Sequence, residues 1–292
     1  MMKLTFLGTG TSTGVPTLGC QCDVCMSTDP HDKRMRCSSL LEVDGKNILF
    51  DCGPDFRQQA INANLFVIDA LMLTHAHADH VAGMDDLRTV PYARYHWQLP
   101  EEISCGAKPL PNIHLYGANQ TIESIKKMFF YCFPDVSKNN YKGMLPLLQL
   151  HEVDSSLKPF TVADGAVTIT PISAMHSYLP VLGYRIKNFA YLTDLKTIED
   201  CEVEKLKGLD VLVLGMLRHT KPHISHLSLD EAMAIINKVK PKQTYFVHMS
   251  HDIGYHKNFH NLTYKLEDSE EEIKVPDNCH LAYDGLVVDI ED

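Results

Sequence analysis

The run Thr74-His75-Ala76-His77-Ala78-Asp79-His80 puts four side chains of the kind that bind first-row metals within six residues. In an extended segment, residues two apart point the same way, so His75 and His77 can grip one ion together. Asp79 and His80, at the turn that follows, can face a second ion. Imidazole and carboxylate donors suit Zn²⁺, with Mn²⁺ or Fe as alternatives that spacing does not separate. The competing explanation is a polar turn with surface histidines, and it weakens because three more donors fall at strand ends. His176 follows a strand ending near Ile172, Asp194 follows Tyr191-Leu192-Thr193, and His248 follows Tyr245-Phe246-Val247. Strand ends on one sheet edge are where α/β proteins place ligands and catalytic groups. Two ions roughly 3.5–4 Å apart can share a bridging hydroxide and aim it in line at a phosphorus or carbonyl centre.

A second constellation, Cys20-x-Cys22-x-x-Cys25, follows the Gly-rich stretch Gly8 to Pro16. Three thiols so close point to one tetrahedral structural Zn²⁺, which needs a fourth ligand from elsewhere in the chain. A redox pair fits less well, because no helix signal follows Cys22. The other six cysteines, Cys37, Cys52, Cys105, Cys132, Cys201 and Cys279, are scattered singly and read as small core residues. Gly8-x-Gly10-x-x-x-Gly14 is not a dinucleotide fingerprint: the spacing is wrong, and Pro16 stands where a phosphate-capping helix should begin.

These donors need a scaffold of strands and helices in alternation, and the pattern supplies one from end to end. Strands are expected at Lys3–Leu7, Ser39–Val43, Asn47–Phe50, Ala70–Leu73, Ile113–Tyr116, Leu148–Val153 and Val167–Ile172. Further strands are expected at Leu182–Ile186, Phe189–Thr193, Val211–Leu214 and Thr244–Val247. Asp44-Gly45 marks a hairpin turn. Helices are expected at Phe56–Asn62, Thr121–Phe130, Ile198–Leu206 and Leu229–Val239, the last opened by a capping box of Ser228 and Glu231. Residues 84–110 read as irregular and 134–147 as a loop. Glu267–Glu272 reads as a solvated acidic run, and Cys279–Ala282 with Leu286–Asp289 as a final hairpin around Asp284-Gly285. No Gly/Ser or Pro linker divides the chain, and both halves carry the same alternation, which implies one domain, 1–292, of two similar halves.

The chain has 292 residues, 45% of them hydrophobic and 22% charged, as in an ordinary globular protein. Its formal charge of −10 opposes broad binding to long nucleic acid. The apolar run in Met1–Gly8 is too short for a secretory signal, and no stretch reaches the ~18 apolar residues of a membrane span. With nine cysteines, an odd number, the expectation is a reducing cytoplasm with thiols free or metal-bound.

The Thr-His-x-His-x-Asp-His segment with a downstream His, Asp and His at strand ends resembles the metallo-β-lactamase superfamily, over nearly the whole chain. The resemblance implies an αββα sandwich, two mixed β-sheets flanked by helices, with a two-metal site. It implies that His75, His77 and His176 bind one ion, Asp79, His80 and His248 the other, and that Asp194 bridges them. Asp51 matches the family's acid behind the ligands. The Gly-rich opening and cysteine loop are similar to the phosphoribosyl cyclic phosphate phosphodiesterases of phosphonate catabolism. In that branch the fourth structural ligand matches His251, and the proposed acid for the leaving group matches His226, with His219 and His223 as rivals in the same loop. Relative to that branch, residues 84–150 are longer, which implies an elaboration on the substrate side. Within it, Arg88 and the stretch Tyr92 to Trp97 are candidates to contact a phosphate and a sugar.

The implied function is hydrolysis of a small phosphodiester, such as a cyclic ribose phosphate, with two catalytic ions, one structural Zn²⁺, no membrane partner and room for a homodimer. The alternatives are tRNA 3′-end processing, disfavoured by the charge and the lack of a basic arm, and a hydroxyacylglutathione-like thioesterase, which leaves the cysteine loop unexplained. A zinc-stabilised scaffold without activity would not need a full ligand set.

Overall fold

The computed structural model describes residues 1–133, 147–266 and 271–291. All but Leu147 of the expected loop 134–147, and all but Glu271 and Glu272 of the acidic run, lie outside the described residues. Two seven-stranded sheets face each other. The first runs, in spatial order, Val287–Ile290, Met2–Gly8, Ser38–Val43, Lys46–Phe50, Ala70–Met72, Ile113–Gly117 and Leu148–Glu152. The second runs Cys279–Leu281, Gln243–Val247, Val211–Gly215, Phe189–Leu192, Leu179–Ile186, Val167–His176 and Phe160–Val162. Both are mixed: antiparallel hairpins adjoin runs of parallel strands. The parallel strands read as continuous apolar runs because both of their faces are covered. Val211–Gly215 is buried at every position.

Three apolar layers hold the sandwich together. Between the sheets lie Phe6, Phe50, Tyr184, Phe189 and Tyr191, with the Phe50 and Tyr191 rings stacked 4.7 Å apart. On the outer face of the second sheet, Leu212, Leu214 and Phe246 meet Leu229, Met233 and Ile236 of the helix Leu229–Val239. On the outer face of the first, Leu49, Leu71 and Leu115 meet Phe56 and Ile125. The result is the expected αββα order. The Glu231 carboxylate accepts the Ser228 N–H at 2.8 Å, closing the capping box that starts the long helix. Among the described residues, no helix is long and apolar enough to cross a membrane.

Several expectations need correction. Cys279–Leu281 and Val287–Ile290 do not form a hairpin: the first joins the second sheet and the other joins the first. Asp284 sits between them and accepts hydrogen bonds from Thr9 Oγ1 and the Met35 N–H, which flank strands of the first sheet, so the turn carries the chain from the second sheet to the first instead of closing a hairpin. Residues 84–110 are not wholly irregular. They hold the helical turns Ala82–Thr89, Val90–Ala93 and Glu101–Ser104, with Pro91 in the first turn of the second, where its missing N–H costs nothing. Cys105 and Cys201 are exposed, not core, because each sits on the solvent side of a one-turn helix end. A one-turn helix, Asp23–Met26, does follow Cys22.

The sheets close on the site through specific contacts. Tyr184 of the second sheet donates its hydroxyl to the Leu73 carbonyl at 2.6 Å, and the Leu182 N–H donates to Thr74 O at 3.0 Å. Beneath the His75–His80 segment two backbones touch. A Cβ on Gly53 would lie 2.0 Å from Asp79 O, and one on Gly83 2.1 Å from Gly53 O. Gly53→Ala should therefore cost roughly 1–3 kcal/mol, as overpacking does. Urea denaturation checks this, and an unchanged midpoint would contradict the contact.

Candidate metal centre

Three residues just past strand ends carry the chain around the site in the left-handed region: Asp51 at φ 57°, Asp194 at 55° and His248 at 60°. Non-glycine residues are held there only when their surroundings fix them, and such strain gathers at functional sites. The strands before them, Lys46–Phe50, Phe189–Leu192 and Gln243–Val247, end on the same edge as Ala70–Met72, which leads into the histidine segment.

Two groups of donors form there. His75, His77 and His176 bring one ring nitrogen each within 4.8 Å of one another, and so do Asp79, His80, Asp194 and His248 with one ligand atom each. His75 Nε2 and His77 Nδ1 are 2.8 Å apart. His80 Nε2 lies 3.2 Å from both Asp79 Oδ2 and Asp194 Oδ2, while His248 Nε2 lies 3.1 Å from Asp194 Oδ1 and 3.4 Å from Asp79 Oδ2. Ligands about 2.0–2.1 Å from a tetrahedral ion sit about 3.3 Å from each other, so these separations suit a shared cation. His80 Nε2 is buried and has no properly oriented hydrogen-bond partner. An orphaned nitrogen between two carboxylates fits a cation better than a hydrogen bond. Asp194 also falls within a group with His176 and His226, which places it between the two donor sets.

The electrostatics agree. Burial alone would push the His80 ring down, but Asp194 and Asp51 outweigh it and hold the ring well above the usual imidazole range. Burial would raise Asp194, yet His248 and His80 hold it well below the carboxylate range. The pocket thus demands positive charge, which an ion supplies as well as a proton. His75, by contrast, is pushed well down by burial, the neutral form that ligation requires.

The ligand rings are oriented from behind. Asp51, fully buried, accepts from His80 Nδ1 at 2.7 Å and from the Thr74 N–H and Oγ1 at 2.9 Å each. His176 Nδ1 donates to the Ser225 carbonyl at 2.8 Å, and Thr193 Oγ1 donates to Asp194 Oδ2 at 2.7 Å. Sequence reasoning missed Thr193, Tyr184 and the Ser225 carbonyl. A backbone oxygen leaves no residue-type signal, and the two hydroxyls look like ordinary strand residues.

Of the three rival histidines, His226 lies nearest: its Nδ1 is 3.7 Å from Asp194 Oδ1 and its ring stacks on His248 with centroids 4.8 Å apart. His219 faces the Thr263 carbonyl, and His223 bonds to Ser225. Arg88 and the Tyr92–Trp97 stretch do not line the cavity that opens on His75, His77 and His176: Arg88 pairs with Asp85, and the Tyr92 and Trp97 rings stack on each other.

The cysteine loop forms a separate cluster. Cys20, Cys22 and Cys25 each place Sγ 3.3 Å from His251 Nδ1. One nitrogen cannot hydrogen-bond three sulfurs alike, whereas a tetrahedral ion explains the arrangement. The Cys25 amide holds the Cys22 thiol down at about 7, while burial pushes Cys25 up to about 11. The cluster is tied to the larger site through backbone: Thr11 N–H donates to Met249 O and Met249 N–H to Thr9 O, beside His248.

Residues 46–249 match the Beta-lactamase superfamily domain. The chain is 36% identical to a diphosphatase of the PhnP family, with a TM-score of 0.81 over 100% of this chain and 98% of that one. It is 40% identical over its full length to an octanoyltransferase of Porphyromonas gingivalis, of which it spans only 52%. Human tRNase Z, short form, shares the fold at 18% identity and a TM-score of 0.64, covering 99% of this chain and 100% of that one.

Burial pushes His226 down to about 3, with Asp194 only partly opposing it, so the ring stays neutral through the physiological range. Its ring-proton resonance should therefore not titrate between pH 5 and 8. A midpoint near the ordinary imidazole value of about 6.5 would contradict that burial. The fold, the paired donor groups and the matches agree: the chain belongs to the metallo-β-lactamase superfamily, in its PhnP-like branch.

Proposed function

We propose that this protein is a dinuclear metal-dependent hydrolase of small phosphodiesters. The observation that carries this reading is the pair of donor groups meeting at Asp194, one of which opens onto a cavity through His75, His77 and His176. His75, His77 and His176 would hold one divalent ion, Asp79, His80 and His248 a second, and Asp194 would touch both. Cys20, Cys22, Cys25 and His251 would hold a structural Zn²⁺. Two divalent ions in such a site supply an activated water and neutralise charge on the phosphoryl group. Zn²⁺ suits the imidazole-rich donors.

The chain's own residues do the rest. Asp51 fixes the His80 ring so that Nε2 faces the site, and Ser225 O does the same for His176. His226, neutral and beside Asp194, is placed to donate an N–H hydrogen bond to the departing oxygen as charge grows on it. The small-substrate reading is supported by the PhnP-family diphosphatase, similar over nearly its whole length, and by the net charge of −10, which disfavours a tRNA. Acyl transfer is the name of a protein about twice the matched length and is not carried over.

Chelation followed by dialysis should abolish turnover of bis-p-nitrophenyl phosphate, and Zn²⁺ or Mn²⁺ should restore it. Asp51→Asn should lower activity about 10–100-fold. Full activity after chelation, or preference for a thioester or a short RNA over the diester, would contradict the reading. His226→Ala should lose about 10²–10³-fold on a diester with an alkoxide leaving group, and far less on p-nitrophenolate esters. Steady-state kinetics on the two leaving groups checks this, and equal losses would remove His226 from the role.

A further inference from the structure

A cavity of about 750 Å³ opens directly on His75, His77 and His176. That volume falls within the roughly 300–1,000 Å³ that holds drug-sized ligands, so a bare sugar phosphate would leave much of it empty. Its walls are chemically divided. Met128, Tyr178, Leu179, Pro180 and Ile224 line it with apolar groups, while Ser124 and Lys127 bring polar ones from the helix Asn119–Met128.

The apolar rim stands out by its position. Tyr178 is 91% exposed and Ile224 79%, both on the cavity that His176 lines, and Tyr178 stacks on no ring among the described residues. Each is nevertheless held close to a group that orients His176. Tyr178 lies in the two-residue turn between Val167–His176 and Leu179–Ile186, where His176 pairs with Leu179. Ile224 precedes Ser225, whose carbonyl accepts from His176 Nδ1. Two exposed apolar side chains at the mouth of the site are suited to a ligand that covers them. A tyrosine face and a methionine thioether both favour a flat ring over a flexible chain.

We infer that the substrate carries a planar ring, such as an aryl group or a nucleobase, beside its phosphodiester, and that Tyr178 and Ile224 select for it. This inference rests on the phosphodiesterase reading and narrows it.

The test uses 2,2,2-trifluoroethyl diesters, whose common leaving group carries no ring and is followed by fluorine NMR, with a second ester of methyl, n-octyl, benzyl or thymidine 5′. The expected result is a kcat/KM about tenfold or more higher for benzyl and thymidine than for methyl and octyl. In the Tyr178→Ser/Ile224→Ser double variant that ratio should shrink to about twofold or less. Both residues lie on the surface, so the double variant should fold, and its circular dichroism is compared with the parent. Equal rates for methyl and benzyl, preference for octyl, or a ratio unchanged in the double variant would overturn the inference. Calorimetry on the metal-loaded protein separates it from the hydrolase reading, with thymidine 5′-monophosphate expected to bind about tenfold tighter than ribose 5-phosphate. That preference, lost in the double variant, would support the inference even if no diester were turned over, an outcome that would sink only the hydrolase reading. Equal binding of the two phosphates to the parent protein would overturn the inference whatever the turnover.

Discussion

The site depends on one buried carboxylate. Asp51 has no solvent contact and would be costly to keep charged alone, yet it accepts hydrogen bonds from the Thr74 amide, the Thr74 hydroxyl and His80 Nδ1. Those bonds set where the histidine segment leaves its strand and which nitrogen of His80 faces the pocket. Burial raises the Asp51 carboxyl, and His80 opposes it, so the pair is stable as a unit and poorly stable with either member missing. A ligand ring fixed from behind by an acid is the arrangement that makes imidazole both oriented and basic.

The rest of the fold can be understood as what brings partners to that segment. Parallel strands deliver Asp194 and His248 from the second sheet, and Tyr184 and Leu182 lock that sheet to Leu73 and Thr74 of the first. Gly53 and Gly83 allow the backbone around Asp79 to settle against the strand end that carries Asp51. On the far side, the thiol cluster and the Gly-rich loop pair with Met249, next to His248. A distant structural cluster and a catalytic edge thus share one stretch of chain, and loss of the first should loosen the second.

Much of this was legible in the sequence because it is local or strongly typed. The dense histidine segment, the cysteine spacing, the Ser228–Glu231 cap and most strands show their roles in residue identity and period. The misses share a physical reason: they depend on where the chain goes in space. Asp284-Gly285 has the chemistry of a hairpin turn, but the flanking strands join different sheets, which no local pattern reports. Arg88, a candidate for a phosphate in the sequence, pairs with its neighbour Asp85 and does not line the cavity. The Ser225 carbonyl and the apolar cavity rim are invisible to composition, since one is backbone and the other is assembled from three separate segments.

The central claim is that imidazoles and carboxylates from both sheets hold a pair of divalent ions, while the thiols and His251 hold a third. Anomalous X-ray diffraction at the zinc edge, on crystals of protein purified without chelator and loaded with zinc, tests it most directly. Three peaks are expected: one among Cys20, Cys22, Cys25 and His251, and two flanking Asp194 at a separation of about 3.5–4 Å. A map with no peak beside Asp194, or with the thiol cluster alone occupied, would contradict it.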